Sequence, residues 1–503
     1  MTDRELREHW EQVVEELRAK EKEPKNGADL MGDIMRENLD WIRFSGFFSE
    51  EQINVAVSIA SCKTSVLGGY ISYCDNCGKP VQYRYRSCGN RYCPRCQAAR
   101  AEQWAQERKS EMLPCPQYHC TVTLPHKLNP LVDANKAVLL DALMKCASSA
   151  VIDVCRSPEH LGATPGVIAV LHDWASDLTT HYHVHMLVSG GGLNEDGDFV
   201  DLRDIRAAQK QRRQPCSAMD IPVSAAACTT DSLYFIPEAE VASLFRGRYL
   251  ACIRHLYSEG ALTLSSDIAS MEGPFAWEEF LASLMQCKWV SHIVPTKGKS
   301  EEDAFENLGR YVTRPMLSRV ESYTEQALSD ESLFDEDGSA EQPSLSDAIR
   351  YLSGSVYKAG ISPYKIVSYN EKQVSFWVRD RKAADGKRLE TISANAFIFR
   401  YLSHVLPKGF SRVRSYGILA NGCKKKNLNK IMQQVKGEPF VASPLKGATK
   451  GEIMKLLHPD IDYEKCPCCG YKIRIIPFGL AYDIQNTGPR QRKNSFRKSA
   501  SRY

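Results

Sequence analysis

The chain has 503 residues, and its 65 Lys and Arg nearly balance 61 Asp and Glu, which leaves a formal net charge of +4. This length predicts two to four domains, and a content of 43% hydrophobic and 25% charged residues excludes wholesale disorder and fibrous repeats. No segment approaches the ~20 apolar residues of a membrane-spanning helix, and the charged N-terminus lacks the apolar stretch of a signal peptide. We therefore expect a cytoplasmic protein whose 18 cysteines stay reduced and can bind metals.

The first part of the chain is predicted to contain a helical region, a zinc module and a sheet. Residues 1–60 have helical periodicity, whereas residues 61–112 are rich in Cys, Gly, Tyr and Arg, a composition typical of a small module held by metal. Residues 113–320 alternate β-branched strands with helical segments, and the strand at 181–188 is expected to enter a glycine turn at 190–192. This order predicts an α+β domain, an antiparallel sheet flanked by helices.

Charge distribution marks the second part of the chain. An acidic flexible insert is expected at 321–343, because residues 321–342 hold eight acidic side chains and no Lys or Arg. Residues 344–450 are expected to continue the α+β domain, and their last part, 405–450, carries ten Lys or Arg against one Glu. Residues 451–503 hold a candidate zinc knuckle and a basic tail.

The strongest motif is a pair of CxxC sequences separated by 15 residues. This spacing predicts a structural zinc site of Cys74, Cys77, Cys93 and Cys96, since each CxxC pair can supply two thiolates to a tetrahedral ion. Cys62 and Cys88 are left over, and they either take part in a second site or simply pack.

Basic and aromatic residues alternate in the same module. Arg84, Arg86, Arg91 and Arg95 lie among tyrosines, a composition suited to contacting phosphates and stacking on bases. Zinc together with a basic aromatic surface indicates a nucleic-acid partner.

A second motif is the alternating His181-Tyr182-His183-Val184-His185. On a strand, residues two apart share a face, so His183 and His185 can present two imidazoles to one divalent ion. Isolated HxH pairs are more often solvated or packed histidines, but the third histidine, the intervening valine and the following glycines favour a functional site here.

Six blocks of the sequence occur in the order of one known family. The blocks are Cys62–Gly69, Ser87–Gln97, His119–Pro125, His183–His185, Leu308–Pro315 and His404–Phe410 with its continuation to Asn421. Over about residues 50–425 the chain resembles the HUH-type tyrosine transposases of rolling-circle insertion sequences, which carry an N-terminal zinc-binding domain.

The resemblance implies a chemistry and a set of roles. His183 and His185 would bind Mg²⁺ or Mn²⁺, with His181 or His172 as a third ligand, and Tyr311 would attack the scissile phosphate of single-stranded DNA. Arg310 and Arg314 flank that tyrosine. Many relatives carry two tyrosines four residues apart, but Asn307 occupies the earlier position here, and Tyr351 in a similar downstream stretch is the alternative nucleophile.

The C-terminal region offers weaker signals. Cys466 and Cys469 have CxxC spacing without a partner pair; Cys423 and His458 could complete a zinc site, or the turn could bind no metal. The basic residues expected to contact DNA near the last block are Arg412, Arg414, Lys424, Lys425 and Lys426.

The leading hypothesis is a transposase of the bacterial cytoplasm, associated with the nucleoid, that cuts and rejoins single-stranded transposon ends and target DNA through a 5′-phosphotyrosine intermediate. Host replication machinery is a candidate partner. A replication-initiator or relaxase-like nickase, and a non-catalytic zinc-dependent DNA-binding regulator, are the alternatives.

Overall fold

The structure is a computed structural model. It describes residues 27–96, 98–212, 235–264, 273–296, 365–380, 385–448 and 464–478, together with the single positions 349, 361, 382, 383, 452, 453, 455 and 462. The chain divides into two compact units. The described part of the first unit is 61–88 and 462–478, and the described remainder, 27–60 and 89–455, forms the second. The expected acidic insert at 321–343 lies outside the described residues.

Eleven α-helices occur in the described ranges. They are α1 (Gly27–Glu37), α2 (Leu39–Phe44), α3 (Glu50–Ser61), α4 (Ala98–Ser110), α5 (Asn129–Ala134), α6 (Lys136–Arg156), α7 (Leu202–Arg212), α8 (Glu238–Ser258), α9 (Pro274–Met285), α10 (Ala394–Ser403) and α11 (Lys424–Lys436). None of these helices combines the length and apolar character needed to cross a bilayer.

Twelve β-strands are described. They are β1 (Gly69–Cys74), β2 (Lys79–Tyr85), β3 (Gln117–Thr123), β4 (Thr164–Trp174), β5 (Thr180–Leu193), β6 (Phe199–Asp201), β7 (Val290–Pro295), β8 (Ile366–Tyr369), β9 (Gln373–Arg379), β10 (Lys387–Ser393), β11 (Val413–Gly417) and β12 (Ile473–Phe478).

The largest sheet lies in the second unit and confirms the predicted α+β class with an antiparallel sheet. Its strand order is β11-β4-β5-β3-β7, β6 pairs with β5, and every pairing is antiparallel. Strands β3 and β4 are buried along almost their whole length, and apolar clusters cover both faces of β4 and one face of β3. On one face the cluster includes the apolar side of α6.

Two smaller sheets complete the described fold. In the second unit, β10-β9-β8 form an antiparallel hairpin meander, with α10 against β9 and β10. In the first unit, β12-β1-β2 form an antiparallel sheet whose outer strand comes from the C-terminal segment.

The prediction of a glycine turn at the end of the histidine strand is wrong. β5 continues through Gly190, Gly191 and Gly192 to Leu193, and pairs there with β4 and β6. Glycine is required because neighbouring atoms come too close for a side chain: a Cβ on Gly192 would overlap the backbone of Thr164.

Candidate active site and metal centres

Three histidines converge on one face of the large sheet. His183 and His185 alternate along β5, and β4 places His172 directly opposite His183. The Nε2 atoms of His183 and His185 are 3.0 Å apart, and His172 Nδ1 lies 3.3 Å from His185 Nε2. These side chains, hereafter the histidine centre, are all buried, and their three facing nitrogens lie within 4.8 Å of one another. A single ion could contact all three nitrogens.

The structure distinguishes the two candidates for the third imidazole. His172 belongs to the histidine centre, whereas the His181 ring stacks on His126 with ring centroids 5.0 Å apart. His181 contributes its backbone instead, because its carbonyl accepts a hydrogen bond from His183 Nδ1 at 3.1 Å. A carbonyl can only accept, so the proton of His183 sits on Nδ1 and the Nε2 lone pair faces the centre.

Strand β3 supports His185 from the side opposite the other two rings. His185 Nδ1 lies 3.1 Å from Thr121 Oγ1 and 3.1 Å from His119 Nε2. Such contacts fix the orientation of a metal-binding imidazole and leave its other nitrogen directed at the ion. Sequence reasoning assigned no role to His119 or Thr121, although their alternate spacing on a strand next to β5 was a usable signal.

Burial keeps this part of the site uncharged. Desolvation, with neighbouring imidazoles adding to it, lowers the pKa of His183 and of His185 well below the ordinary value. Burial lowers the pKa of His119 to about 3, and the nearby His292 and His183 contribute in the same direction. Neutral imidazole is the form that binds metal, so these rings are prepared for ligation at neutral pH.

A buried ion pair lies next to the histidine centre, and one of its members was predicted to contact DNA. Arg412 was expected to bind DNA, but its side chain is only 1% exposed and Nη1 donates to Asp173 Oδ1 at 3.0 Å. Burial raises the pKa of Asp173, but Arg412 and His404 outweigh it and lower this pKa to about 2. The guanidinium also lies over the Trp174 ring, whose edge meets His172 with centroids 4.1 Å apart.

The other predicted DNA-binding residues fall into three groups. Ion pairs hold Arg95 with Asp29, Arg414 with Asp141 and Lys424 with Glu111, and each of these cationic side chains is at most 21% exposed, which makes phosphate contact a poor fit. Exposed positions are occupied by Arg84, Arg86, Arg91, Lys425 and Lys426. Tyr311, Tyr351, Arg310 and Arg314 lie outside the described residues.

The cysteines group differently from the predicted set of Cys74, Cys77, Cys93 and Cys96. In the first unit, Cys74 Sγ is 3.5 Å from Cys469 Sγ, and Cys77 Sγ is 3.9 Å from Cys466 Sγ. Sequence spacing could not reveal this grouping, because nearly four hundred residues separate the two CxxC motifs.

The remaining predicted ligands are placed as follows. Cys62 and Cys88 meet in the first unit, where the Cys88 backbone N–H donates to Cys62 Sγ at 3.5 Å. Cys93 and Cys96 belong to the second unit, where the Cys96 N–H, at the end of a short 3-10 helix (Pro94–Cys96), donates to the Cys93 carbonyl at 3.0 Å. Cys423, expected as a partner of the C-terminal knuckle, instead directs its thiol to the carbonyl of Ala420, and His458 lies outside the described residues.

Comparisons with known proteins identify the family of the chain. Residues 34–124 match a family model described as a transposase zinc-binding domain, and residues 166–331 and 337–427 match a model described as a putative transposase. The second match contains the histidine centre and covers more than half of the chain. The chain belongs to the rolling-circle transposase family. It is therefore an enzyme that acts on DNA, as the sequence predicted.

Two relatives illustrate the similarity of this transposase to named proteins. A putative transposase, y4qJ, of Sinorhizobium fredii is 29% identical over 380 residues, covering 76% of this chain and 77% of the relative. The transposase for insertion sequence element IS801 of Pseudomonas savastanoi pv. phaseolicola is 23% identical over 436 residues, covering 85% and 84%. No solved structure matches the chain.

Proposed function

We propose that this transposase cleaves and rejoins single-stranded DNA at transposon ends through a covalent 5′-phosphotyrosine intermediate. The observation that carries the proposal is the convergence of three buried imidazole nitrogens on one face of the sheet, within the segment that matches the transposase model. A divalent ion bound at such a site can withdraw charge from a DNA phosphate, so that a nucleophile can attack its phosphorus at neutral pH.

His183, His185 and His172 would hold the divalent ion, Mg²⁺ or Mn²⁺, whose chemistry is to withdraw charge from the scissile phosphate. The donor set fits such an ion because its nitrogens already face one another at 3.0 and 3.3 Å. It favours Mn²⁺ over Mg²⁺, since imidazole suits transition metals and Mg²⁺ prefers oxygen ligands. His119 and Thr121 would keep His185 in its binding orientation.

The nucleophile is assigned from the sequence. Tyr311 stands between Arg310 and Arg314, and Tyr351 is the alternative. The phenolic oxygen attacks phosphorus while the bond from phosphorus to the 3′ oxygen breaks, and that oxygen leaves as a 3′-hydroxyl after taking a proton. The released 3′-hydroxyl then primes replication by host machinery, or attacks a second phosphotyrosine to rejoin strands.

Structural zinc would hold the DNA-recognition module. Cys62 and Cys88, which lie in contact in the first unit, supply thiolates of the kind that structural zinc prefers. In the same module, Arg84 and Arg86 are exposed on and just after β2, where they can contact phosphates.

The decisive experiment incubates the full chain with 5′- and 3′-labelled single-stranded oligonucleotides carrying the element ends, with Mn²⁺ or Mg²⁺. We expect an adduct that survives denaturation, formed by Tyr351→Phe and lost in Tyr311→Phe and in His183→Ala/His185→Ala. Loss in Tyr351→Phe alone would assign the nucleophile to Tyr351. DNA binding without any adduct would reject catalysis in favour of a regulator, and cleavage without rejoining would favour a nickase.

A further inference from the structure

The C-terminal CxxC motif sits in the first unit, where it faces the first CxxC motif of the chain. We propose that Cys74, Cys77, Cys466 and Cys469 bind one structural Zn²⁺, so that the C-terminal segment closes the zinc module formed near the N-terminus. The matched zinc-binding segment ends at residue 124, so two of these four ligands lie far outside it.

The sulfur positions fit a tetrahedral zinc ion. With Zn–S bonds of about 2.3 Å, a regular tetrahedron places its sulfurs about 3.8 Å apart. The two measured separations, 3.5 Å for Cys74 with Cys469 and 3.9 Å for Cys77 with Cys466, lie on either side of that value. They are much longer than the about 2 Å of a disulfide bond, and all four cysteines are free thiols.

The two motifs have the same local structure. In each, a glycine with positive φ follows the second cysteine: Gly78 at 65° and Gly470 at 71°. In each motif the glycine N–H donates a hydrogen bond to the carbonyl oxygen of the first cysteine, that of Cys74 at 3.0 Å and that of Cys466 at 2.8 Å. A tight turn of this kind presents two sulfurs on one side, so two such turns facing each other supply all four ligands of a closed structural site.

Strand pairing places the C-terminal cysteine turn next to the turn that contains Cys74 and Cys77. β12 pairs with β1 in continuous register, from Gly69 opposite Phe478 to Cys74 opposite Ile473, directly beside the cysteine turns. Among the residues that the structure describes, the apolar cluster of this sheet has Ile71 and Tyr83 as its buried members, with Tyr85 and Ile476 packed against them. Because so small a core cannot hold three strands, a metal is the expected source of stability.

Zinc content of the full-length protein tests the proposal. We expect Cys74→Ser and Cys469→Ser each to contain one zinc ion fewer per chain than the wild type, measured by elemental analysis after removal of loosely bound metal. The matched control is Cys468→Ser, because Cys468 lies inside the same turn but is exposed and outside the cluster. Cys423→Ser tests the partner that the sequence suggested, and should also keep full zinc content.

A second variant covers the case in which serine prevents folding. Cys469→His keeps a possible ligand, so the Co²⁺-substituted variant should show the absorption change of an S₄ site converted to S₃N, while Cys468→His keeps the wild-type spectrum. Full zinc content in Cys469→Ser, or equal loss in Cys468→Ser, would overturn the proposal. An unchanged Co²⁺ spectrum in Cys469→His would do so as well.

Discussion

His172 reaches the histidine centre from a different strand than His183 and His185, so its position depends on what packs around the end of β4. The Trp174 ring meets the His172 ring edge-on, and Arg412 covers Trp174 while binding Asp173. His404 completes this group, because its Nδ1 lies 3.5 Å from the second oxygen of Asp173. His404 and Arg412, from the last of the six blocks, thus lie buried beside the histidine centre.

The choice of His172 over His181 as third ligand leads to a direct prediction. His172→Ala should weaken Mn²⁺ binding by about 100-fold or more, because loss of a ligand should exceed the roughly 10–100-fold cost of losing a residue that only orients a ligand. His181→Ala should change it by less than about tenfold, since its backbone carbonyl, which holds His183, is retained. Mn²⁺ titration followed by electron paramagnetic resonance measures both, and an equal loss in the two variants would contradict the assignment.

The buried ion pair gives a prediction about stability. Arg412→Met should lower the free energy of unfolding by about 3–5 kcal/mol, because it leaves the Asp173 carboxylate buried without its cation. Arg254→Met is the matched control: Arg254 pairs with Glu278 at 2.9 Å, but both side chains are more than half exposed, so the expected loss is below about 1 kcal/mol. Urea unfolding measures both free energies. A loss for Arg412→Met as small as the one expected for Arg254→Met would show that Arg412 is not structurally required.

Among the elements, β5 shows where pattern reasoning succeeds and where it stops. The alternating histidines predicted the strand at 181–188, and β5 contains all of these residues. The end of β5 could not be predicted, because a run of glycines usually marks a turn. Here glycine is needed within the strand, because Tyr118 lies too close to Gly190, and Thr164 too close to Gly192, for a side chain to fit. This steric constraint arises only when the segments pack together in the folded protein, so the sequence pattern does not contain it.

The glycine run in β5 can be tested by substitution. Gly192→Ala should destabilise the fold by about 3 kcal/mol, because the added Cβ would overlap backbone atoms of Thr164 and Pro165, which no side-chain rotation can relieve. Gly422→Ala is the control, since its Cβ would meet no atom within 4 Å. Its effect on the free energy of unfolding should stay within about 1 kcal/mol. If thermal melts show similar stability for the two variants, β5 does not depend on the close approach.

At the scale of the whole molecule, the described parts of the two units differ in the size of their apolar clusters. The second unit contains an apolar cluster that joins β3, β4, β5, α6, α8 and α9. In the described part of the first unit the apolar cluster is small, and the sheet combines residues 69–85 with 473–478. Sequence spacing favoured pairing neighbouring CxxC motifs, because it carries no information on which distant segments meet. The grouping of the cysteines therefore required the tertiary structure.

This difference predicts a selective response to metal removal. A strong zinc chelator should abolish hydrogen-exchange protection of the amides in β1, β2 and β12, because zinc–thiolate binding supplies roughly 10–16 kcal/mol in small metal-held folds and the apolar residues here cannot replace it. The amides of β3, β4 and α6 should remain protected, since the described residues of the apolar cluster that holds them include none of the grouped histidines and cysteines. Adding Zn²⁺ should restore protection, and adding Mg²⁺ should not, because Mg²⁺ binds thiolates poorly. Protected β1 amides after complete zinc removal would mean that strand pairing alone maintains the first unit.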